Sequence, residues 1–483
     1  MTLSCHIPCP HTVLFRLCAG KQTKLQSVAT KNFAEHGIKI TIISYSEEVT
    51  LNQRMKVLLL GLISLVYIVR AAPVNDNDSI HWALLVAGSS GWYNYRHQAD
   101  ICHAYQILHK HGIPDDHIVV MMYDDIAHNP ENKMPGVIIN HPNGSDVYAG
   151  VLKDYTGKHV TPENFLKILQ GDKSGMAGIG SGKVIESGPN DNVFVYFADH
   201  GATDLIAFPT SELMEKDLKQ ALENMSTQNK FKKFVFYLEA CESGSMFNNF
   251  KITDLYVTTA AAPDESSYAC YYDTMLQTYL GDVYSVRWME NSDKADFNKE
   301  TLLKQFKIIR RETNTSHVEK YGDFSIDKDT LGQYQGSGSQ FNNVQVVDLA
   351  DKPLGAVPSP EVPMAILHHR LMAAKDPRQR SVILQKIVQL GQAQQKMMSV
   401  LQSTVATLLN DNGDLADQVM SRQGVQVTNW DCYKTSVRYF SDRCFPFKEN
   451  DYALSLMYIL ANLCERTEVS TDMILSSFDK HCK

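Results

Sequence analysis

The sequence predicts an α/β fold with a mostly parallel sheet, followed by a separate all-α region. Two apolar runs, 192–198 and 234–238, are rich in Phe, Val and Tyr and are typical of strands buried on both faces. A third run at 81–87, HWALLVA, has the same character. Stretches with helical spacing separate these runs, and this alternation of strands and helices is the pattern of a parallel sheet covered by helices.

The remaining elements of the first part continue the alternation. The apolar spacing predicts helices over 96–111, 161–170 and 212–225, and strands over 117–123 and 255–261. The segment 124–150 is rich in Asp, Asn, Pro and Gly and is predicted to be an extended loop. Thr161 before Pro162 fits a helix N-cap followed by proline at the first helical position.

The chain changes character at 332–363, where Gly, Ser, Gln and four prolines predict a flexible, exposed linker of the kind that peptidases cut. Beyond it, apolar residues at helical spacing predict a long helix that ends before Gly413. These residues are Ile383, Ile387, Leu390, Met397, Leu401, Val405 and Leu408. A later helix is predicted from Tyr452, Leu456, Ile459 and Leu463. Such stripes usually form a core, so 377–483 is predicted to be an all-α domain.

The length of the chain predicts the number of domains, and its net charge excludes some classes of partner. The chain has 483 residues, which predicts two to three domains. Its net charge of −8 and its pI near 6.1 argue against nucleic acid or an anionic membrane surface as a partner.

The segment 55–71 has the form of a signal peptide. A basic start precedes a short apolar run, Val57–Val69, and small residues follow, so that cleavage is expected after Ala71. The run is short for a membrane span. Because a signal peptide normally begins a chain, residues 1–54 are interpreted as an upstream extension of the gene model, with an internal anchor helix as the alternative.

Two chemically active side chains follow the ends of buried strands. His200 follows the strand at 192–198, and Cys241 follows the strand that reaches Leu238. Ligands of open α/β sheets bind beyond the carboxyl ends of the strands, so both are expected at one edge. A His beside a Cys lowers the thiol pKa and handles its proton, and the backbone N–H groups of Gly201 and Cys241 are natural oxyanion donors. The alternative is a buried apolar Cys and a hydrogen-bonded core His.

Long motifs surround these two residues. They are AGSSGWYNYRHQADICHAYQIL at 87–108, ADHG at 198–201, EACESGS at 239–245, ESSYACYYD at 265–273 and YLGDVYS at 279–285. From about His81 to Gly322, and more weakly through the C-terminal helices, the sequence resembles the legumain family of asparaginyl endopeptidases. The resemblance implies a caspase-like three-layer α/β sandwich with a mostly parallel sheet, followed by an all-α, death-domain-like prodomain. It divides the chain into a catalytic region, 72–331, a linker or activation peptide, 332–376, and a helical prodomain, 377–483.

The resemblance also implies an activity and residue roles. It implies a cysteine endopeptidase that cleaves after Asn, and after Asp at acid pH, made as a zymogen and activated at low pH by removal of the helical domain. Matched to the family motifs, Cys241 is the nucleophile, His200 handles the proton, Asn94 orients His200, and Gly201 with Cys241 supplies the oxyanion donors. The substrate pocket is matched to Arg96, His97, Glu239, Ser267 and Asp282, and Asp199 matches a position that can form a succinimide linked to peptide ligation.

Seven of the ten cysteines follow the predicted signal peptide. Cys102 lies in a helix pattern and is expected to be a buried thiol. The four cysteines of the helical region suggest two disulfides, for which the sequence allows three pairings, and the resemblance selects Cys432–Cys464 and Cys444–Cys482. No Cys-x-x-Cys or His-Glu-x-x-His spacing is present, so neither a metal nor another cofactor is expected. Four sequons fit passage through the secretory route: Asn77, Asn143, Asn224 and Asn314.

The implied partners are protein and peptide substrates, the chain's own prodomain as inhibitor and, by resemblance, cystatin-type inhibitors, with no nucleic acid and no membrane span. The implied location is the secretory pathway, lysosomal, endosomal or secreted. Self-cleavage in the family uses Asn or Asp, yet residues 361–400 contain no Asn. The candidate cleavage positions are Asn342, Asn343, Asp348, Asp351 and Asp376. Acid is expected to favour release if carboxylates on the two surfaces lose their charge.

Two alternatives belong to other functional classes. A catalytically silent secreted binding module would be expected to have lost Cys241, His200 or the pocket charges, and all are present. A peptide ligase or the transamidase that attaches glycolipid anchors shares this type of fold. The transamidase needs a C-terminal membrane helix, and the late apolar stretch Ala453–Leu463 is short and interrupted.

Overall fold

The computed structural model describes residues 80–337, 355–410, 412–422 and 425–482, together with the backbone of 24–33 and 38–46. The last two segments form strands β1 (Lys24–Phe33) and β2 (Ile38–Ser46), which pair antiparallel. They belong to one compact unit, and Ser79–Lys483 forms another. The predicted signal peptide at 55–71 and the sequon Asn77 lie outside the described residues.

A six-stranded sheet forms the centre of the larger unit. The strands of this unit are β3 (His81–Ala87), β4 (Ile118–Met121), β5 (Asn192–Ala198), β6 (Gly201–Ala202), β7 (Leu205–Phe208), β8 (Ser211–Met214), β9 (Lys233–Glu239), β10 (Leu255–Thr259), β11 (Tyr268–Asp273), β12 (Thr278–Asp282), β13 (Glu319–Gly322) and β14 (Val357–Pro358). The central sheet has the order β13-β10-β9-β5-β3-β4 and is parallel except for β13. Two smaller sheets have the orders β12-β11-β14 and β6-β7-β8.

Helices cover the sheet and form the C-terminal part. They are α1 (Tyr95–Lys110), α2 (Pro162–Leu169), α3 (Glu215–Thr227), α4 (Val283–Ser292), α5 (Leu302–Glu312), α6 (Gly332–Gln335), α7 (Val362–Ala373), α8 (Pro377–Leu408), α9 (Gly413–Met420), α10 (Trp430–Arg443), α11 (Tyr458–Cys464) and α12 (Thr471–His481). As predicted, Thr161 caps α2, because its side chain accepts the Asn164 N–H at 3.2 Å. Within the described residues, no helix combines the length and the apolar character needed to cross a membrane.

Each face of the central sheet carries its own apolar core, because successive side chains of a strand point to opposite faces. On one face Leu85 and Tyr196 pack with helices α1, α4 and α5. On the other face Leu84 and Val195 pack with α2 and α3. Burial on both faces explains why these strands are continuous apolar runs. The three-layer sandwich predicted from the sequence is therefore confirmed.

The C-terminal helices α8 to α12 enclose a third core, which includes Phe440, Leu460 and Phe478. The two disulfides that the resemblance selected are present. Cys432–Cys464 joins α10 to α11, and Cys444–Cys482 joins the end of α10 to the end of α12. The all-α character predicted for this region is confirmed.

The small sheet β6-β7-β8 connects the two parts of the unit. Ala202, Leu205 and Met214 from this sheet belong to the core of the C-terminal helices. The Tyr433 hydroxyl in α10 donates to the Thr203 carbonyl at 2.6 Å. The helical region therefore packs directly on the segment that follows His200.

Four details differ from the sequence predictions. The helix predicted over 212–225 begins only at Glu215, because Ser211–Met214 form strand β8. In 332–363, residues 338–354 lie outside the described part, but β14 is paired and Ser359 and Pro360 are buried, so 357–360 are packed against the protein instead of exposed. Gly413 begins α9 instead of ending α8. The helix predicted over 452–463 is divided at Met457 into a short 3-10 turn and α11.

Candidate active site

The carboxyl ends of β5 and β9 meet at one edge of the central sheet. The register places the end of β5 beside Glu239, so His200 after β5 and Cys241 after β9 occupy the same edge, as predicted. A Cβ on Gly201 would lie 2.4 Å from the Cys241 carbonyl oxygen. Because only glycine permits this approach, Gly201 allows the two segments to run side by side.

One ring nitrogen of His200 is held by Asn94. His200 Nε2 lies 2.9 Å from Asn94 Oδ1, and the Asn94 side-chain nitrogen donates to the Ser90 carbonyl at 3.1 Å, which orients the amide. Since an amide oxygen only accepts, Nε2 carries the hydrogen and Nδ1 of the neutral ring keeps its lone pair. Burial, with a smaller effect of the Arg96 charge, lowers the pKa of His200 to about 3.

The Cys241 thiol is buried and contacts Ser267. Its Sγ lies 3.6 Å from the Ser267 hydroxyl, which lies 3.2 Å from the hydroxyl of Ser359. Burial raises the pKa of Cys241 to about 11. In the part of the chain that the structure describes, no hydrogen bond joins this thiol to His200. The thiol and the imidazole are therefore both neutral in this arrangement.

A fully buried arginine lies beside this pair. Arg96 Nε donates to Asp282 Oδ1 at 2.8 Å, and Nη1 donates to the Tyr93 carbonyl at 3.1 Å. Arg96 Nη2 has no hydrogen-bond partner. A buried donor without a partner costs free energy that a ligand can recover, so Nη2 is a candidate binding position.

Two buried carboxyl groups lie near Arg96. Glu239 Oε2 accepts hydrogen bonds from the backbone N–H and the hydroxyl of Ser285 at 3.1 and 2.9 Å, whereas Oε1 has no partner. Asp282 Oδ2 also has no hydrogen-bond partner. Burial and the Asp282 charge raise the pKa of Glu239, and burial raises the pKa of Asp282 against the opposing effect of Arg96.

His97 and Asp199 lie beside His200, and Asp199 lines the wall of a cavity there. His97 Nδ1 lies 2.7 Å from the Ser89 hydroxyl and 3.3 Å from Asp199 Oδ1. Burial lowers the pKa of His97 and raises the pKa of Asp199. The His97 ring meets the His200 ring edge-on, with ring centroids 5.0 Å apart. The structure therefore brings together every residue to which the resemblance assigned a catalytic or pocket role.

The same wall contains a group of side chains that could hold a metal ion. Potential ligand atoms of His97, Asp199 and His200 lie within 4.8 Å of one another. The sequence analysis missed this group because His97 is distant along the chain and the spacing matches no metal motif. His97 Nδ1 and His200 Nε2 already have hydrogen-bond partners in Ser89 and Asn94.

Two further residues, Asp100 and Ser285, contact Asp282 and Glu239 respectively and were not predicted from the sequence. Asp100 Oδ2 accepts the Asp282 N–H at 3.3 Å, and its Oδ1 accepts from the Asn140 side chain at 2.7 Å. Burial raises the pKa of Asp100. Asp100 follows Arg96 by one helical turn on α1, and this spacing could have identified it. Ser285, the partner of Glu239, carried no comparable signal.

A residue from the C-terminal part covers His200. Asp451 Oδ2 lies 3.4 Å from His200 Nε2. Burial raises the pKa of Asp451 to about 6. Beside His200, a cavity of about 310 Å³ is lined from both parts of the unit. No sequence signal pointed to Asp451, because the contact joins distant parts of the chain.

A strand and a helix cover the site from another side. Strand β14 pairs antiparallel with β11, and the Ser359 N–H donates to the Ser267 carbonyl at 2.9 Å. On α7, the His369 ring stacks on Tyr272 with a centroid distance of 3.9 Å. Strand β14 therefore uses the sheet edge beside Ser267 to which an extended peptide could add.

The other predicted residues lie away from this site. Asn143 and Asn314 are exposed, and Asn224 is half-buried. Cys102 is buried, as expected. Asp376 is exposed and caps α8 with its carboxylate. The other candidate cleavage positions, Asn342, Asn343, Asp348 and Asp351, lie outside the described residues.

Comparison with known proteins identifies the family. The model of the Peptidase C13 family matches residues 81–337, and that of the legumain prodomain matches 384–482. Legumain from Bos taurus is 48% identical over 426 residues, covering 87% of this chain and 98% of the bovine protein. The vacuolar-processing enzyme delta-isozyme from Arabidopsis thaliana is 40% identical over 446 residues, covering 85% of this chain and 93% of the plant protein.

A solved structure of caspase-1 from Spodoptera frugiperda is 10% identical, covering 55% of this chain and 92% of the insect chain. Its TM-score is 0.33. The chain belongs to the peptidase C13 family, and it is a cysteine endopeptidase made as a zymogen with a C-terminal legumain prodomain.

Proposed function

We propose that this enzyme hydrolyses protein and peptide substrates after asparagine. The observation that carries the proposal is the set of unpaired pocket atoms: the donor Arg96 Nη2 and the acceptors Glu239 Oε1 and Asp282 Oδ2. An Asn side chain offers one carbonyl oxygen and an amide group with two hydrogens, which can satisfy all three. A pocket left with unpaired polar atoms rejects other side chains, by up to about 10⁵-fold.

The proposed chemistry is acyl transfer to a thiol. Cys241 Sγ attacks the substrate carbonyl carbon, its proton passes to His200 Nδ1, and the amine takes this proton as the C–N bond breaks. Water then hydrolyses the thioester and restores the thiol. Asn94 holds the hydrogen of Nε2, so Nδ1 stays free for the transfer. The N–H groups of Gly201 and Cys241 are the proposed oxyanion donors, each contributing about 3–4 kcal/mol.

Cleavage after aspartate is proposed at acid pH. A protonated Asp side chain keeps one carbonyl acceptor and one donor, whereas the ionised form would bring a charge against Glu239 and Asp282. Because the ordinary Asp pKa is about 3.9, we propose that this activity falls as pH rises above that value.

The prodomain is proposed to inhibit by covering the site and to leave at low pH. Its covering contact is Asp451 on His200, and the linker strand β14 lies beside Ser267. While covered, His200 has a pKa of about 3, against about 6.5 for an exposed His. Covering is therefore most favourable above pH 6.5 and weakens as pH falls toward 3.

Protonation of the carboxyl groups between the prodomain and the α/β region has the opposite effect on covering from protonation of His200. Asp204 Oδ2 accepts the Val427 N–H at 3.1 Å, and Glu242 Oε1 lies 3.3 Å from Arg422. Burial raises the pKa of Asp204 and of Glu242 to about 7. A raised pKa means that protonation favours the covered state. These shifts do not support the idea that acid releases the prodomain through lost carboxylate charge, so we assign the release to His200.

We further propose passage through the secretory pathway to a lysosomal, endosomal or extracellular destination, with cystatin-type inhibitors as partners. Two disulfides support an oxidising compartment. The Arabidopsis relative is named a vacuolar-processing enzyme.

The direct test uses two fluorogenic peptides that differ only in Asn or Gln before the scissile bond. The full chain is incubated at about pH 4–5 and assayed beside a Cys241→Ala variant. We expect cleavage of the Asn peptide alone, and none by the variant. Equal cleavage of both peptides would contradict the pocket. No cleavage after forced removal of the prodomain would support the silent binding module.

A further inference from the structure

The connector between α7 and α8 is extended, and its last two residues are exposed. It consists of Ala374, Lys375 and Asp376. Ala374 has φ −69° and ψ 123°, and Asp376 has φ −75° and ψ 125°, both in the extended region. Lys375 and Asp376 are exposed, and Met372 just before them is 82% exposed. Peptidases nick exposed segments, and an extended segment needs little rearrangement to enter a cleft.

Little packing holds this part of the chain. From 375 to 390, Ile383 is the single buried residue. It belongs to a small apolar cluster with Leu367 and Ala374. Segments with few buried apolar contacts open locally at a small free-energy cost. A peptidase can therefore bind the residues on both sides of the connector in its cleft.

The enzyme's own proposed specificity fits this connector poorly. Residues 355–400 contain no Asn, and Asp376 is their single Asp. The Asp376 carboxylate accepts the N–H groups of Arg378 and Gln379 at 3.2 and 3.4 Å. The bond after it leads to Pro377, whose nitrogen carries no hydrogen and whose ring crowds the preceding residue. A cut in this connector therefore calls for a different specificity.

Lys375 offers such a specificity. Within the described ranges its ammonium group makes no hydrogen bond or ion pair, whereas the guanidinium groups of Arg370 and Arg380 are engaged. Arg370 lies 2.8 Å from Glu131, and Arg380 donates to the Ala374 carbonyl at 3.2 Å. A free, exposed Lys next to extended backbone is the side chain that a primary pocket containing a carboxylate binds.

We propose that the Lys375–Asp376 bond is a processing site for a separate peptidase with an acidic primary pocket. Hydrolysis breaks the amide C–N bond; water supplies a hydroxyl to the Lys375 carbonyl carbon and a hydrogen to the Asp376 nitrogen. The cut separates β14 and α7 from helices α8 to α12, which then leave on acidification and uncover His200, whereas the substrate must displace β14 from the edge of β11. This last step rests on the release proposed above, whereas the cut itself does not.

The test uses the full chain carrying Cys241→Ala, so that no self-processing occurs, and trypsin at a low ratio near neutral pH as the probe peptidase. The first cut within 80–482 is expected after Lys375, with a new N-terminus at Asp376, read by intact mass and N-terminal sequencing. A Lys375→Gln variant should lose this cut at least 10-fold in rate. The matched control Arg378→Gln should keep it.

A first cut elsewhere in 80–482, or an unchanged rate in Lys375→Gln, overturns the proposal. The chain with Cys241 intact separates this outcome from failure of the proposed function. If it is cut after Lys375, acidified and assayed with the Asn peptide, activity is expected. A clean cut followed by no cleavage of that peptide leaves the processing site standing and contradicts the proposed function.

Discussion

Asn94 determines which nitrogen of His200 can accept a proton. Its Oδ1 accepts from Nε2 at 2.9 Å, so an Asn94→Ala variant frees the ring to adopt the other tautomer or to rotate. We expect kcat to fall by about 10- to 100-fold. This is a part of the rate acceleration of about 10²–10⁴ that a positioned acid–base group contributes. Steady-state kinetics on the Asn peptide measure this effect.

The Asn94→Asp variant provides the control. It keeps an acceptor oxygen beside Nε2, and its negative charge raises the pKa of His200. We expect kcat nearer that of the parent enzyme, with the pH–rate profile displaced to higher pH. An unchanged kcat in Asn94→Ala would show that His200 is oriented by other contacts.

Glu239 determines which side chain the pocket accepts. Its free Oε1 is an acceptor for an amide hydrogen, and a Glu239→Gln variant can place a donor there instead. We expect kcat/KM for the Asn peptide to fall by about 100-fold or more, because an amide hydrogen of the substrate loses its acceptor. The ratio of cleavage after Asp to cleavage after Asn should rise at neutral pH, because Gln removes a carboxyl group that opposes the Asp charge.

The measurement compares kcat/KM for matched Asn and Asp peptides at pH 7. Glu223→Gln is the control, since Glu223 is an exposed carboxylate on α3 outside the pocket. Unchanged kcat/KM values for both peptides in Glu239→Gln would remove Glu239 from the specificity pocket.

At the scale of elements, the central strands could be predicted because both of their faces are buried. The strand at 81–87 and the strand at 192–198 were predicted at the residues where they occur. Their ends also placed His200 and Cys241, since the position beyond a parallel strand is fixed once the strand is known. The smaller sheets were missed, because strands such as β6 and β14 have only two residues and form through partners distant in sequence.

The same reason limits what the sequence says about the covering contacts. Asp451 meets His200 only because distant parts of the chain pack together. A polar residue in a short turn carries no local sign of such a partner. By contrast, Asp100 shares a helix face with Arg96, and its position could have been inferred from helical spacing.

The disulfide Cys444–Cys482 is expected to hold α12 against α10. It closes a loop with a sequence separation of 38. Removing it with Cys444→Ser and Cys482→Ser should lower the free energy of unfolding of the helical region by up to about 4 kcal/mol, because the unfolded chain gains the freedom that the cross-link removed. Urea unfolding of the Cys241→Ala chain, followed by hydrogen exchange in 471–481, measures the loss.

The α/β region provides the internal reference for this experiment. Exchange in β5 and β9 should respond less than exchange in 471–481, since the cross-link lies wholly in the helical region. Equal midpoints with and without the cross-link would mean that apolar packing around Phe478 alone holds α12 in place.

At the scale of the whole molecule, His200 couples covering of the site to pH. In the covered state Asn94, His97, Arg96 and Asp451 surround its ring. Its pKa of about 3 there must return toward about 6.5 when the prodomain leaves and water reaches the ring. Between these values, covering loses about 1.4 kcal/mol for each unit that pH falls.

While the Asp451 carboxyl group is ionised, its negative charge opposes this loss of covering free energy. Its pKa of about 6 means that the carboxyl group is largely protonated below that pH, so the Asp451 charge cannot stabilise a protonated His200 at pH 4–5. Protonation of Asp451, Asp204 and Glu242 itself favours the covered state. His200 is therefore the group of this set whose protonation drives release.

We therefore expect a His200→Asn change to make covering less sensitive to acid. In the full Cys241→Ala chain, the backbone of 425–428 contacts Asp204 across the interface through the Val427 N–H. Its hydrogen exchange, corrected for the intrinsic effect of pH, should accelerate as pH falls from 6.5 to 4. With His200→Asn added, this acceleration should shrink by at least 10-fold at pH 4.

The control is His109→Asn, which changes an exposed histidine outside the interface and should leave the acceleration unchanged. If His200→Asn accelerates exchange equally at every pH, the residue only supports packing, and the acid response must come from another group.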